Sequence, residues 1–183
     1  MSELLSQLNE INTAPLVKKE EIVSEISDRI IANGYNIVEL NSEKPWGAYF
    51  KLHGDDADTF VEEFFPGLSP SEARLGVDNL ELSPKILLVS PNQRLSWQYH
   101  HNRAERWAFL NNGFYYSSMT DDEGERLAAH AGDVVQFKTE QRHRLVGASA
   151  YTLVAEIWQH TNINVPSAED DIVRLQDDYD RKA

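Results

Sequence analysis

The sequence has no cysteine among its 183 residues. That absence excludes a disulfide framework and any thiolate metal site, so a metal ion must be held here by imidazole, carboxylate or amide groups. Long apolar runs are also missing, and no stretch approaches the roughly 20 residues that a membrane-spanning helix needs. The opening MSELLSQLNEIN carries acids where an export signal would carry bases, which predicts a cytoplasmic protein with no membrane partner. Positive charge is scarce. Seventeen Lys and Arg against 30 Asp and Glu give a formal net charge of -13, which argues against nucleic acid as a partner because it rewards dense basic surface. The few bases are clustered: Arg94, Arg103, Arg106, Lys138, Arg142 and Arg144 fall in two short stretches. A local basic rim on an acidic protein suits a small anionic substrate; the same residues would serve equally as solvated charges on a sheet surface.

Residues 15 to 33 read as an amphipathic helix, with Pro15 near the start, Ile22, Val23, Ile26 and Ile30 at helical spacing, and Gly34 as the stop. Shorter helices are expected over 2 to 11 and over 56 to 65, the latter ended by Pro66 and Gly67. Two strands, YNIVEL and GAYFKL, flank the turn-forming NSEKP. From Lys85 onward short strands follow closely: KILLVS, RLSWQYH, ERWAFL, GFYYSSM, DVVQFK, HRLVG and YTLVAEIWQ. This is the pattern of an all-β barrel or sandwich. It predicts an N-terminal helical extension, 1 to 40, packed on a barrel of residues 41 to 183 whose acidic tail lies along it.

Along a strand alternate residues face one side, so Gln98 and His100 point together while Trp97 and Tyr99 point away. After His100 the segment HNRA can turn the chain and bring Glu105 alongside, and His143 opens a later strand. Three or four N and O donors from neighbouring strands can then converge on one divalent ion, of zinc, manganese, iron, cobalt or nickel type, with positions left for water or substrate. Glu156 sits in the apolar run LVAEIW, where an unpaired carboxylate is costly to bury, and its alternation partners Val154 and Trp158 imply a barrel-facing position. It reads either as a functional carboxylate or as the partner of an arginine such as Arg103. Trp46, Trp97, Trp107 and Trp158 read as packing residues or as stacking surfaces for a sugar.

The spacing of Gln98, His100, Glu105 and His143 resembles the two cupin signatures, with Asn92 standing where the first carries glycine, Gln98 where it carries histidine, and Lys138 and Glu140 within the second. The closer resemblance is to one branch of cupins, the type II mannose-6-phosphate isomerases. LSWQYHHNRAERW at 95 to 107 is similar to that branch's LSLQxHHxRxEHW, KPWGAY at 44 to 49 to its RPWGxY, RHRL at 142 to 145 to its KHRL, and EDDIVRLQDDYDR near the end to its EDDIVRxxDxYGR. Related single-domain chains are labelled phosphoheptose isomerases. The Gly-rich segment of the guanylyltransferase domain found in bifunctional relatives does not occur here. Arg106 stands where the branch has histidine and Asp180 where it has a tail glycine.

The resemblance implies a double-stranded β-helix, or jelly roll, with a divalent metal on Gln98, His100, Glu105 and His143, and isomerase activity on a sugar phosphate. An aldose–ketose interconversion needs a base, for which Glu105 and Glu156 are the candidates, and a cationic phosphate cradle, for which Arg94, Lys138, Arg142 and Arg144 are the candidates. A sugar-binding cupin without catalysis is the alternative. The cupin resemblance, together with strands at 85 to 90 and 151 to 158 richer in apolar residues than one barrel can bury, predicts a homodimer.

Overall fold

The computed structural model describes residues 3–181. Four helices come first, with a hairpin between them: α1 (Glu3–Asn9), α2 (Lys19–Ala32), β1 (Ile37–Lys44), β2 (Gly47–Leu52), α3 (Ala57–Phe64) and α4 (Pro70–Ala73). Nine strands follow: β3 (Lys85–Val89), β4 (Trp97–Tyr99), β5 (Arg103–Phe109), β6 (Gly113–Ser118), β7 (Leu127–Ala129), β8 (Val134–Phe137), β9 (Arg142–Gly147), β10 (Thr152–His160) and β11 (Val173–Gln176). They form two antiparallel sheets, ordered β1-β2-β3-β10-β5-β8 and β11-β4-β9-β6-β7. This is the jelly-roll arrangement the sequence predicts.

Two cores explain why several strands lack alternation. All five residues of β3 and all nine of β10 are buried, because both faces of the larger sheet are covered. Inside the barrel Leu87, Val89, Val154 and Trp107 pack with Phe109, Phe137 and Leu145. On the outer face Ile86, Leu88, Leu153, Ala155 and Ile157 meet Leu4, Ile22, Ile26, Ile30, Phe60 and Phe64 of the helices. Each large apolar side chain so buried contributes about 1.5–3 kcal/mol. The helices therefore cover the apolar excess that the sequence assigned to a second subunit, and the argument from strand composition for a homodimer falls away.

The expected helix at 15 to 33 is shorter at its start. Tyr151 donates its backbone N–H to the Thr13 carbonyl and its hydroxyl to that of Val17, and these tertiary bonds hold the segment before Lys19 out of the helix. The first helix was expected from residue 2, which lies outside the described residues. Residues 41 to 44 are strand rather than turn: β1 runs to Lys44, which pairs with Gly47 across Pro45 and Trp46. β1 thus crosses the boundary placed at residue 40, and the last residues of the extension already belong to the barrel's sheet. The sequence reading passed over α4, although its Ser69 and Glu72 form a capping box. It also passed over β7 and β11.

Candidate metal centre

β4, β5 and β9 aim their inward residues at one point. Gln98 on β4 lies opposite His143 on β9, and Glu105 on β5 lies between Phe137 of β8 and Trp158 of β10. His100 follows β4 directly. Its Nε2 is 3.0 Å from Glu105 Oε1, and His143 Nε2 is 3.2 Å from Glu105 Oε2. All three residues are at most 2 % exposed.

The hydrogen bonds on the far side of each ring fix what these atoms can do. His100 Nδ1 is 2.5 Å from the Asp171 carbonyl and His143 Nδ1 is 2.9 Å from the Gln141 carbonyl. A carbonyl only accepts, so each Nδ1 carries its hydrogen and a neutral ring turns an Nε2 lone pair toward Glu105; that of His143 has no donor, while that of His100 accepts from Arg103 Nη2 at 3.4 Å. Burial pushes the His100 imidazole below its ordinary pKa, against the pull of Glu105. Burial works against ionising Glu105, but His100, His143 and the Arg103 guanidinium outweigh it and hold the carboxyl well below the usual carboxylate range. Arg103 Nε donates to Glu105 Oε1 at 2.9 Å. Glu105 Oε2 and His143 Nε2 remain buried without a hydrogen-bond partner. Lone pairs facing a carboxylate call for a cation between them, so the three residues fit a divalent metal. Gln98 and Glu105 line one cavity. Gln98 Oε1 accepts from Ser96 Oγ at 2.6 Å, which leaves the second lone pair of that carbonyl for a ligand role.

The cavity above this cluster has a volume of about 140 Å³, far more than the roughly 10–15 Å³ one water occupies. Glu156, placed in the barrel by its alternation with Val154 and Trp158, lies in its wall and is 7 % exposed. Trp107 Nε1 donates to it at 3.0 Å and Lys85 Nζ stands 3.9 Å away; Arg103 pairs with Glu105 instead. Burial, then the charge of Glu105, push the Glu156 carboxyl up to about 7 against the pull of Lys85 and Arg103. A carboxyl raised on folding favours the folded state at pH values below its unfolded pKa near 4.5, and that contribution is lost as pH rises through about 7. Thermal melts of the metal-free protein should therefore show Glu156→Gln gaining on the wild type between pH 5 and pH 8, by at most about 3 kcal/mol. A pH-independent difference would contradict this assignment.

The four cations expected to cradle phosphate do not line this cavity. On β9 the alternation that turns His143 inward turns Arg142 and Arg144 outward. There Arg142 pairs with Asp121 and stacks on Tyr99, and Arg144 pairs with Glu123 under the C-terminal segment. Arg94 pairs with Asp178, and Lys138 is exposed on the loop after β8. The cations that do line the cavity are Lys44, Lys85, Arg103, Arg174 and Arg181. Of the tryptophans, Trp46 and Trp158 line it, Trp107 is packed inside the barrel, and Trp97, buried on the other face of β4, donates Nε1 to the Asp121 carbonyl at 2.9 Å.

Sequence reasoning missed Lys85, whose signal was a lysine opening the apolar run KILLVS. It is 5 % exposed, with Nζ 3.7 Å from the Trp158 ring centroid and 3.1 Å from Glu169. It also missed the work of Asp171. The side chain of Asp171 accepts from the backbone N–H groups of His101 and Asn102 and from Ser167 Oγ, while its carbonyl holds His100. Those bonds outweigh burial and keep its carboxyl below the usual range. His101 itself is exposed, in the bend between β4 and β5.

No curated protein matches the chain in sequence. The family described as "Mannose-6-phosphate isomerase C-terminal" matches residues 77–177, which contain every candidate metal ligand. Among solved structures, the capsular polysaccharide assembling protein CapF from Staphylococcus aureus aligns over 94 % of this chain and 45 % of its own, at 12 % identity and a TM-score of 0.50. The DMSP lyases RdDddP and RnDddQII align over 94 % of this chain and 77 % of theirs, at 11 % identity and a TM-score of 0.50. A cupin 2 conserved barrel domain protein from Salinispora arenicola CNS-205 aligns over 67 % and 82 %, at 18 % identity and a TM-score of 0.44. At these identities the likeness to CapF and the DMSP lyases speaks for the fold alone. Cupins of this kind commonly bind a divalent metal, and none of the described helices is long and apolar enough to cross a membrane. With its family match covering more than half of the sequence and its fold that of a cupin barrel, the chain belongs to the mannose-6-phosphate isomerase C-terminal family, a cupin family related to sugar isomerases.

Proposed function

We propose that the protein is a metal-dependent isomerase interconverting an aldose phosphate and a ketose phosphate, of the mannose 6-phosphate or heptose phosphate class, in carbohydrate or polysaccharide precursor metabolism. The observation that carries this reading is the placement of Glu156: a buried carboxyl in the wall of the cavity that Gln98 and Glu105 also line, Glu105 being the member of the His100, Glu105 and His143 cluster that reaches it. His100, Glu105, His143 and Gln98 would hold a divalent ion, which would supply Lewis acidity toward the sugar carbonyl. Glu156 takes the C2 proton of the aldose, the electron pair moves to form the enediol, and the proton returns to C1 as the hydroxyl proton passes between O1 and O2. Burial raises the proton affinity of this carboxyl, which suits it to both taking and returning a proton. Lys85, beside Glu156, donates a hydrogen bond to developing oxyanion charge. Glu105, held ionised beside the Arg103 guanidinium, is a ligand rather than a proton carrier.

The test is C2 proton exchange. Metal-loaded protein in deuterated buffer is incubated with hexose and heptose phosphates and followed by NMR, with binding measured in parallel. At least one sugar phosphate should exchange, and Glu156→Gln should lower the rate by about 10²–10⁴-fold with metal content unchanged. Binding without exchange throughout the panel rejects the isomerase and leaves a non-catalytic sugar-phosphate-binding cupin.

A further inference from the structure

Two sequence blocks remain without a role in the metal centre: KPWGAY at 44 to 49 and the C-terminal EDDIVRLQDDYDR. The fold brings both to one place. Lys44 ends β1 at the hairpin, Arg174 lies on β11, and Arg181 follows it; all three side chains line the mouth of the cavity whose floor is Gln98 and Glu105. Their burial sorts them by depth. Lys44, Arg174 and Arg181 are half-buried, whereas the floor residues are nearly inaccessible. Five of the residues lining the cavity are Lys or Arg and three are Glu, a local excess of positive charge in a chain of formal net charge -13. Low-dielectric walls concentrate that field at the opening. Among the described residues no carboxylate lies within ion-pair distance of Lys44; its ammonium stands over the Tyr49 ring, 5.5 Å from the centroid. Arg181 is braced by Asp177, which fixes its position more than it satisfies five donors.

The geometry points to an anion site at this rim, formed by Lys44, Arg174 and Arg181, that takes the phosphate of a phosphate monoester while the rest of the substrate reaches down to Glu156. It rests on the isomerase reading only for the orientation of the sugar, and binding of the phosphate stands apart from turnover. The site replaces the cradle expected of Arg94, Lys138, Arg142 and Arg144. Those cations lie elsewhere on the barrel.

The experiment is a binding titration on the metal-loaded full chain, read by tryptophan fluorescence because Trp46 and Trp158 line the cavity, and by calorimetry. The probes are inorganic phosphate, mannose 6-phosphate, sedoheptulose 7-phosphate, glycerol 3-phosphate and unphosphorylated mannose. At least one ester should bind ten times more tightly than mannose, compete with inorganic phosphate and weaken with salt. Lys44→Met and Arg181→Gln should each lower ester affinity about tenfold without changing metal content or melting temperature, Lys44→Arg should restore it, and Arg142→Ala should leave it unchanged. Equal binding of esters and mannose, no binding of any phosphate at millimolar concentration, or full affinity in both Lys44→Met and Arg181→Gln would overturn the rim site. Phosphate binding intact in a protein that exchanges no C2 proton would leave the rim site standing and count against the isomerase alone.

Discussion

The His100→Ala, His143→Ala double variant is expected to lose its divalent ion, from about one per chain to less than a tenth, and with it all C2 exchange. Two neutral imidazoles supply half of the proposed ligand set, and the remaining Gln98 and Glu105 are oxygen donors too few and too weak to hold a first-row ion without them. The fold should survive the change. Glu105, the one buried charge of the cluster, keeps Arg103 at 2.9 Å, so no carboxylate is stranded, and the loss of two rings costs no more than an ordinary core truncation of about 2–5 kcal/mol. Elemental analysis after purification without chelator, with circular dichroism on the same sample, checks both halves. A double variant that retains a full ion per chain would place the metal elsewhere.

Gly47→Ala is expected to be the most damaging single-methyl change in the barrel. Gly47 has φ +151°, and a Cβ there would sit 1.9 Å from the Leu88 carbonyl oxygen and 3.1 Å from Val89 Cα. Both are backbone atoms of β3, to which β2 is paired through Gly47 with Val89 and Ala48 with Leu88, so nothing can yield without parting the strands. Backbone strain of about 1–3 kcal/mol and overpacking of about 1–3 kcal/mol combine to a loss of roughly 2–6 kcal/mol, or about 10 °C in melting temperature at the middle of that range. Because the same hairpin carries Lys44 and Trp46 to the cavity, ligand binding should fall with stability. A melting temperature within 2 °C of the wild type would contradict the close approach.

Much of this was legible in the chain because it rests on local rules. Period-two alternation places Gln98 with His100, and Val154, Glu156 and Trp158 together on the inner face. The apolar stripe of Ile22, Ile26 and Ile30 marks α2. Asn92, in the place of a signature glycine, sits at φ +59°, a left-handed conformation that asparagine tolerates better than most residues; the departure preserves the turn. Glu140 takes a similar φ of +62°, in the turn whose N–H reaches the His100 carbonyl at 2.8 Å. What was illegible depends on partners far away in sequence. Proximity to His143 made Arg142 and Arg144 look like site residues, but the same alternation sends them to the other face. Lys44, Lys85 and Arg181 reach the cavity only through strand pairing and the course of the C-terminal segment. The grip of Asp171 on His100 spans 71 positions, and no local pattern encodes a carbonyl acting at that range.

The most direct test of the metal centre is anomalous diffraction at the absorption edge of the ion bound by the full chain. The account predicts a single strong peak bonded to His100 Nε2 and His143 Nε2 at about 2.0–2.3 Å, with Glu105 and Gln98 oxygens completing the protein ligands and both Nδ1 atoms still donating to the carbonyls of Asp171 and Gln141. A peak away from these residues, or a metal-loaded crystal in which His143 Nε2 stays bonded only to protein, would contradict it.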